Sequence, residues 1–281
     1  MRLMMLFSLA GVAAALLALP TPARSADAAP LRAEGSEWVL QTATGTLRSA
    51  DLVGAQLQLA GGAVLRIDSA RLTSDGTGPG WWAHEVSVRP PTSMPTAGPA
   101  RPEGQDGWQP LCAGHSDGSH YAVVLPGREQ ADGTLGADDS SFAVSCTSGA
   151  LAKCLRMGYR PWQTLNGVPM RTVFNGCIRM VRADYGGQGL PHTENGRRID
   201  VYDTLAVQSP DLLSGQAFEA GWNEQGAVCV HHLRIAGALA LADLPARYPQ
   251  LQGRVGAVCT EAFARAHGAL LFNRSDDPTA R

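Results

Sequence analysis

Six cysteines, Cys112, Cys146, Cys154, Cys177, Cys229 and Cys259, stand downstream of an N-terminal segment laid out like a secretory leader. These two features together constrain the fold more than any other. Met1 and Arg2 give a positive start, Leu3 to Leu19 is apolar apart from Ser8 and Gly11, Pro20 breaks the run, and small residues dominate Pro22 to Ala28. This is the three-part pattern of a signal peptide, with residues 1–25 as the leader and cleavage expected after Ser25 or Ala28. The apolar run is slightly short of the roughly 20 residues of a relaxed membrane span. No cysteine lies near it to carry a lipid. An even number of cysteines in an exported chain reads as disulfides, because an oxidising compartment keeps them closed. A metal site is disfavoured, since no two cysteines have Cys-x-x-Cys spacing. The sequence does not choose among the pairings.

A chain of 281 residues can bury one large core or two modest ones. Its net charge of −2 and pI of about 6.4 offer no basic field for nucleic acid. No later segment reaches membrane-spanning length. The expectation is an exported protein, periplasmic or extracellular, with no cofactor, no metal, no nucleic-acid partner and no membrane span after leader cleavage; its other partners stay open.

From Ala26 to Glu34 the chain reads as a loose leader. Trp38-Val39-Leu40 then begins a β pattern, with a turn near Gly45. Ala55 to Leu59 alternates with period two, Gly61-Gly62 marks a turn, and Val64 to Ile67 resumes a strand. Trp81-Trp82 with Val86-Ser87-Val88 predicts another, ended by Pro90-Pro91. Pro90 to Asp106 lacks apolar periodicity and reads as an exposed loop. Trp108 to Cys112, Tyr121 to Leu125 and Phe142 to Cys146 follow as short strands. Thr147 or Ser148 can cap a helix from Gly149 to Met157, with Gly158 as its stop. Val173, Phe174, Cys177, Ile178 and Val181 recur at helical spacing and line one face of a second helix. Cys154 and Cys177 would each lie on a helix; if they pair, the closed loop contributes roughly 3 kcal/mol. Ile199 to Asp203, Phe218 to Trp222 and Val228 to Ile235 read as strands, Leu241 to Tyr248 and Val258 to His267 as short helices, and Ala269 to Phe272 as a closing strand. The fold class is therefore α+β. A β-rich module over 35–145, with a Pro/Gly-rich loop near 90–106, precedes a disulfide-stapled α+β module over 146–275.

A resemblance emerges in the second half. Ala150-Leu151-Ala152-Lys153-Cys154, Gly158-Tyr159-Arg160-Pro161-Trp162, Cys177-Ile178-Arg179-Met180-Val181-Arg182-Ala183-Asp184-Tyr185, His192-Thr193 and Asp200-Val201-Tyr202-Asp203 follow in order. Phe218 to Trp222, Gly226 to Cys229 and Leu271 to Ser275 complete the series. The chain resembles the ADYC-domain proteins, exported bacterial proteins named for an Ala-Asp-Tyr-Cys motif. The resemblance covers roughly Cys146 to Ser275, with a weaker part near Trp108 to Cys112, and implies a domain without a known mechanism. The fourth motif residue here is Gly186, and the Cys-Pro step of relatives reads Tyr248-Pro249. The resemblance thus implies a bridge whose two halves are both absent from this chain, leaving six cysteines.

Arg182, Asp184, Tyr185, His192, Asp200 and Asp203 form the densest polar cluster, in a Gly-rich loop of the kind that carries sites on a rigid scaffold. Asp184 and His192 together can act as base and orienter in a hydrolase, with Tyr185 as acid or stabiliser. The competing reading is a structural Arg–Asp pair pinning a helix end, and it is preferred. Asp184, Asp200 and Asp203 could also offer oxygen ligands to calcium, although their spacing matches no known loop. Glu219 beside Trp222 could form a carbohydrate platform, yet a lone Trp on a strand is usually core. His231 and His232, on opposite faces of a strand, cannot share a metal. His115 and His120 read as solvated. Asn273-Arg274-Ser275 matches a glycosylation acceptor that a bacterial context makes irrelevant. No Gly-x-Ser-x-Gly elbow, P-loop, dinucleotide fingerprint or His-Glu-x-x-His is found. The function expected is therefore a non-enzymatic, disulfide-stabilised binding or surface protein, with an exported hydrolase as the alternative.

Overall fold

The computed structural model describes residues 31–59, 61–74, 80–91, 107–114, 120–212, 215–237 and 239–276. The leader, most of the Pro/Gly-rich loop near 90–106 and His115 lie outside these residues. Strands β1 (Arg32–Glu34), β2 (Glu37–Thr42) and β3 (Gly45–Arg48) make a small antiparallel sheet. The expected loose leader therefore ends earlier than read, because Arg32 to Glu34 pairs with Glu37 to Val39.

The central sheet comprises β4 (Gln56–Gln58), β5 (Val64–Thr73), β6 (Trp81–Arg89), β7 (Gln109–Pro110) and β8 (Tyr121–Pro126). A two-stranded ribbon of β9 (Arg128–Glu129) and β10 (Leu135–Gly136) intervenes before its last strand, β11 (Phe142–Cys146). The order across the sheet is β11-β8-β6-β5-β4, with β7 on β6. Ala122 to Leu125 is wholly buried, an unbroken apolar run without polar alternation. That pattern belongs to a strand covered on both faces. Ala122 and Val124 join Trp38, Leu65, Ile67 and Val86 in one core, while Val123 and Leu125 join the helical side in another.

Helix α1 (Ala150–Arg156) follows, then the short pair β12 (Thr164–Leu165) and β13 (Val168–Pro169), then α2 (Met170–Arg182). Gly149, not Thr147 or Ser148, is the N-cap of α1, and no side chain caps it. Val173, Phe174, Cys177 and Ile178 are fully buried along α2 as the spacing requires, and Val181 packs against the same core. A Cβ at Gly176 would stand 2.8 Å from Leu271 and 3.2 Å from the Asn223 backbone, so the glycine lets α2 approach the sheet beneath it.

That sheet begins with β14 (Ile199–Asp203), β15 (Gln216–Asn223) and β16 (Gly226–Val230). After α3 (Leu244–Arg247) and α4 (Glu261–Ala266), β17 (Leu271–Asp276) inserts to give the order β14-β17-β15-β16. The strand read as Val228 to Ile235 stops at Val230, so His231 and His232 occupy bends and not strand faces. All six cysteines pair: Cys112 with Cys146 in the core beneath the first sheet, Cys154 on α1 with Cys177 on α2, and Cys229 on β16 with Cys259 ahead of α4.

The small first sheet is held to β6 by a buried relay. Ser49 Oγ accepts the Trp38 N–H at 2.8 Å and lies 2.8 Å from His84 Nε2, to which it can give its own proton. Burial pushes the His84 pKa down to about 4, against a smaller upward pull from the Ala122 backbone. Below the ordinary value near 6.5 the unfolded chain takes up this proton while the folded chain refuses it, so stability falls with pH and levels off under about pH 4. We expect this histidine to remove about 3 kcal/mol across that window. Urea midpoints of His84→Gln should lack this part of the pH slope.

Candidate functional site

Helix α2 ends at Ala183 in the left-handed region, with φ 48° and ψ 41°. The Ala183 N–H donates to the Met180 carbonyl at 3.0 Å and the Asp184 N–H to the Arg179 carbonyl at 2.9 Å, a Schellman-type closure. A non-glycine residue there costs roughly 1–2 kcal/mol. The turn folds Asp184 back beneath the helix. Its carboxylate accepts from Arg179 Nη1 at 2.7 Å, from the Gln188 N–H at 3.1 Å and from the Gly189 N–H at 2.8 Å, with no solvent exposure. Arg179 also reaches Asp132 Oδ2 at 2.5 Å and the Glu224 carbonyl at 3.1 Å. Asp184 is thereby saturated by internal donors.

Tyr185 points into the core and stacks on Trp222, ring centroids 5.4 Å apart. Its hydroxyl donates to Glu219 Oε1 at 3.2 Å and accepts the Arg234 N–H at 3.0 Å. Burial, and then the Glu219 charge, push its pKa well above the ordinary tyrosine value. Arg234 grips Glu219 with two 3.0 Å bonds and donates to the Met180 and Val181 carbonyls at the end of α2. Asn273 gives its amide N–H to Glu219 at 2.6 Å and accepts from Trp222 Nε1 at 2.7 Å. Burial alone would raise the Glu219 pKa, yet Arg234, with Asn273 assisting, holds it below the usual carboxylate range. Glu219 and Trp222 are both fully buried, so they offer no carbohydrate platform. Arg234, the centre of this network, was not among the residues picked from the sequence. The available signal was an opposite-charge pair, each member inside an otherwise apolar segment.

The polar cluster read from the sequence separates into parts. Arg182 Nη2 donates to the Gly189 carbonyl at 2.6 Å, inside the loop. Asp200 accepts the N–H groups of Asp211 and Leu212 at 2.9 and 3.3 Å. Asp203 accepts from Leu205, Val207 and Gln208 backbone groups and from the Tyr159 hydroxyl at 3.0 Å. These two carboxylates fold residues 205–212 against the outer strand β14, where an open sheet edge would otherwise invite pairing. Among the described residues no group of three or more His, Cys, Asp or Glu side chains is placed to hold a metal ion.

His192 stands apart from the carboxylates. Its Nδ1 lies 3.2 Å from the Ala183 carbonyl, which can only accept, so Nδ1 carries the proton. Nε2, 3.3 Å from the Tyr248 hydroxyl, is then the acceptor. Burial, reinforced by the charge of Arg247, lowers the His192 pKa against the pull of Ala183 and Asp184 and favours the neutral ring. His192 also forms one wall of a cleft of about 180 Å³, with Pro191 and Thr193 on its own loop and Leu233, Ile235, Gly237 and Leu239 after β16. This cleft was not read from the sequence, since its two loops are some 40 residues apart in the chain.

A family model described as the ADYC domain matches residues 49–236, well over half of the chain. The chain belongs to the ADYC-domain family. The matched stretch takes in the central sheet, helices α1 and α2, and the cleft walls up to Ile235. No curated protein and no solved structure matches it.

In this ADYC-domain protein the motif is a helix terminus: Ala183 makes the left-handed turn, Asp184 ties it back, Tyr185 anchors it in the core, and Gly186 follows. A Cβ at Gly186 would collide with the Tyr248 ring, so the two positions at which relatives are expected to carry cysteine are in contact here, filled by an aromatic ring against a glycine. Gly186→Cys with Tyr248→Cys should form a disulfide, and titration of two free thiols in the folded double variant would refute it. Gly186→Cys alone should lose about 1–3 kcal/mol to overpacking. Asp184→Asn should lose about 3–5 kcal/mol in urea unfolding, because Arg179 is left buried without its full counter-charge.

Proposed function

We propose that this ADYC-domain protein is exported, that its disulfides stabilise it outside the cytoplasm, and that it binds a ligand at the His192 cleft without turning it over. One observation carries the reading. The side chains a hydrolase would need are engaged in holding the fold, while Leu233, Ile235 and Leu239 keep part of their surface exposed at the cleft. His192 meets a backbone carbonyl where an orienting carboxylate would stand, and Asp184 is bonded to Arg179 and two loop amides. Among the described residues, the only side chain hydrogen-bonded to His192 is Tyr248. Export is supported by the leader pattern and by the three disulfides.

Small apolar fragments should shift the amide and methyl resonances of Leu233, Ile235 and Leu239, and Ile235→Trp should abolish these shifts while the melting temperature changes little. Ester or amide turnover by the folded protein, lost in both Asp184→Asn and His192→Ala without loss of fold, would overturn the binding reading. The mass of protein recovered outside the cytoplasm should begin after Ser25 or Ala28; a cytoplasmic chain beginning at Met1 would refute export.

A further inference from the structure

Near the apolar cleft stands a cation that makes no ion pair among the described residues. Leu233, Ile235 and Leu239 stay partly exposed around its concavity, although each belongs to a type that is ordinarily buried. Its volume of about 180 Å³ is below the roughly 300–1,000 Å³ that houses drug-sized ligands, and near the ~150 Å³ of a dry apolar cavity that takes benzene. Both nitrogens of His192 are engaged, so the ring presents a wall and no free polar group. Polar recognition therefore falls to the rim. Outside the lining itself, the guanidinium of Arg247 lies 5.7 Å from the centroid of the Tyr248 ring, whose hydroxyl meets His192, and its charge acts on that histidine. Glu194 is paired with Arg197 at 2.5 Å and Asp184 with Arg179 at 2.7 Å, while Asp243, four residues before Arg247, makes no ion pair with it. Arg247 forms no ion pair among the described residues, and its side chain is exposed.

We propose that the ligand of this cleft is a small apolar carboxylate, with a group the size of a benzene ring between Leu233, Ile235 and Leu239 and its carboxylate at the guanidinium of Arg247. This rests on the binding reading above and adds the chemical class of the ligand. The apolar walls supply most of the affinity, and the charge selects among head groups, since an exposed ion pair contributes about a five-fold preference.

The test titrates the mature, oxidised protein with phenylacetate, phenylacetamide and phenylethylamine, following the resonances of Leu233, Ile235 and Leu239. Phenylacetate should bind about five-fold tighter than phenylacetamide, with phenylethylamine weakest. Arg247→Gln should erase the preference and leave phenylacetamide unchanged, and added salt should narrow it. Equal binding of the three probes, or a preference that survives Arg247→Gln, would overturn the carboxylate assignment while the cleft remains a binding site. Failure of all three to bind would overturn this proposal together with the binding reading beneath it.

Discussion

A buried guanidinium closes the C-terminus of α2, and much of the second half of the molecule is arranged around it. The last carbonyls of a helix lack intrahelical partners and carry partial negative charge. Arg234 answers two of them, at Met180 and Val181, and answers Glu219 with the same side chain. Two charges taken out of water demand complete hydrogen bonding to be tolerated. Here Asn273, Tyr185 and the Arg234 backbone supply it, and Asn273 in turn satisfies the Trp222 indole. Glu219 is the extra residue at a bulge where β15 meets β17, a distortion that turns a side chain from its regular place in the ladder.

This network fixes the cleft without forming its surface. On one side, the loop that leaves the Schellman turn carries residues 191–193 and is tied back to the turn by His192. On the other, Leu233 and Ile235 flank Arg234, which cannot move without uncovering Glu219. The disulfides reinforce the same frame: Cys154–Cys177 joins the two helices, and Cys229–Cys259 holds β16 to the segment ahead of α4. A cleft built on such supports is largely pre-formed, so the ligand proposed for it would pay little ordering entropy on entry.

Much of the fold was legible in particular stretches. The period-two run at Ala55 to Leu59, the strand read over Tyr121 to Leu125 and the helical recurrence of Val173, Phe174, Cys177, Ile178 and Val181 each fall on an element of the announced type, at Gln56–Gln58, Tyr121–Pro126 and Met170–Arg182. The strand extended to Ile235 failed because a further apolar run does not reveal where pairing partners end. The polar cluster was less legible. Asp200 and Asp203 lie three residues apart on a strand, so alternation sends their side chains to opposite faces, and each captures a different part of one loop. Proximity in sequence suggested one site where geometry made several local clasps.

From the sequence alone followed the cysteine-stapled α+β class, the family and the position of most elements, because periodicity, turn residues and motif order are local properties of the chain. Tertiary structure alone decided which charges are buried, which cysteines pair and where the cleft opens. Those outcomes depend on contacts such as Arg234 with Met180 and Tyr248 with His192, separated by 54 and 56 residues, and no local pattern encodes the distance between them.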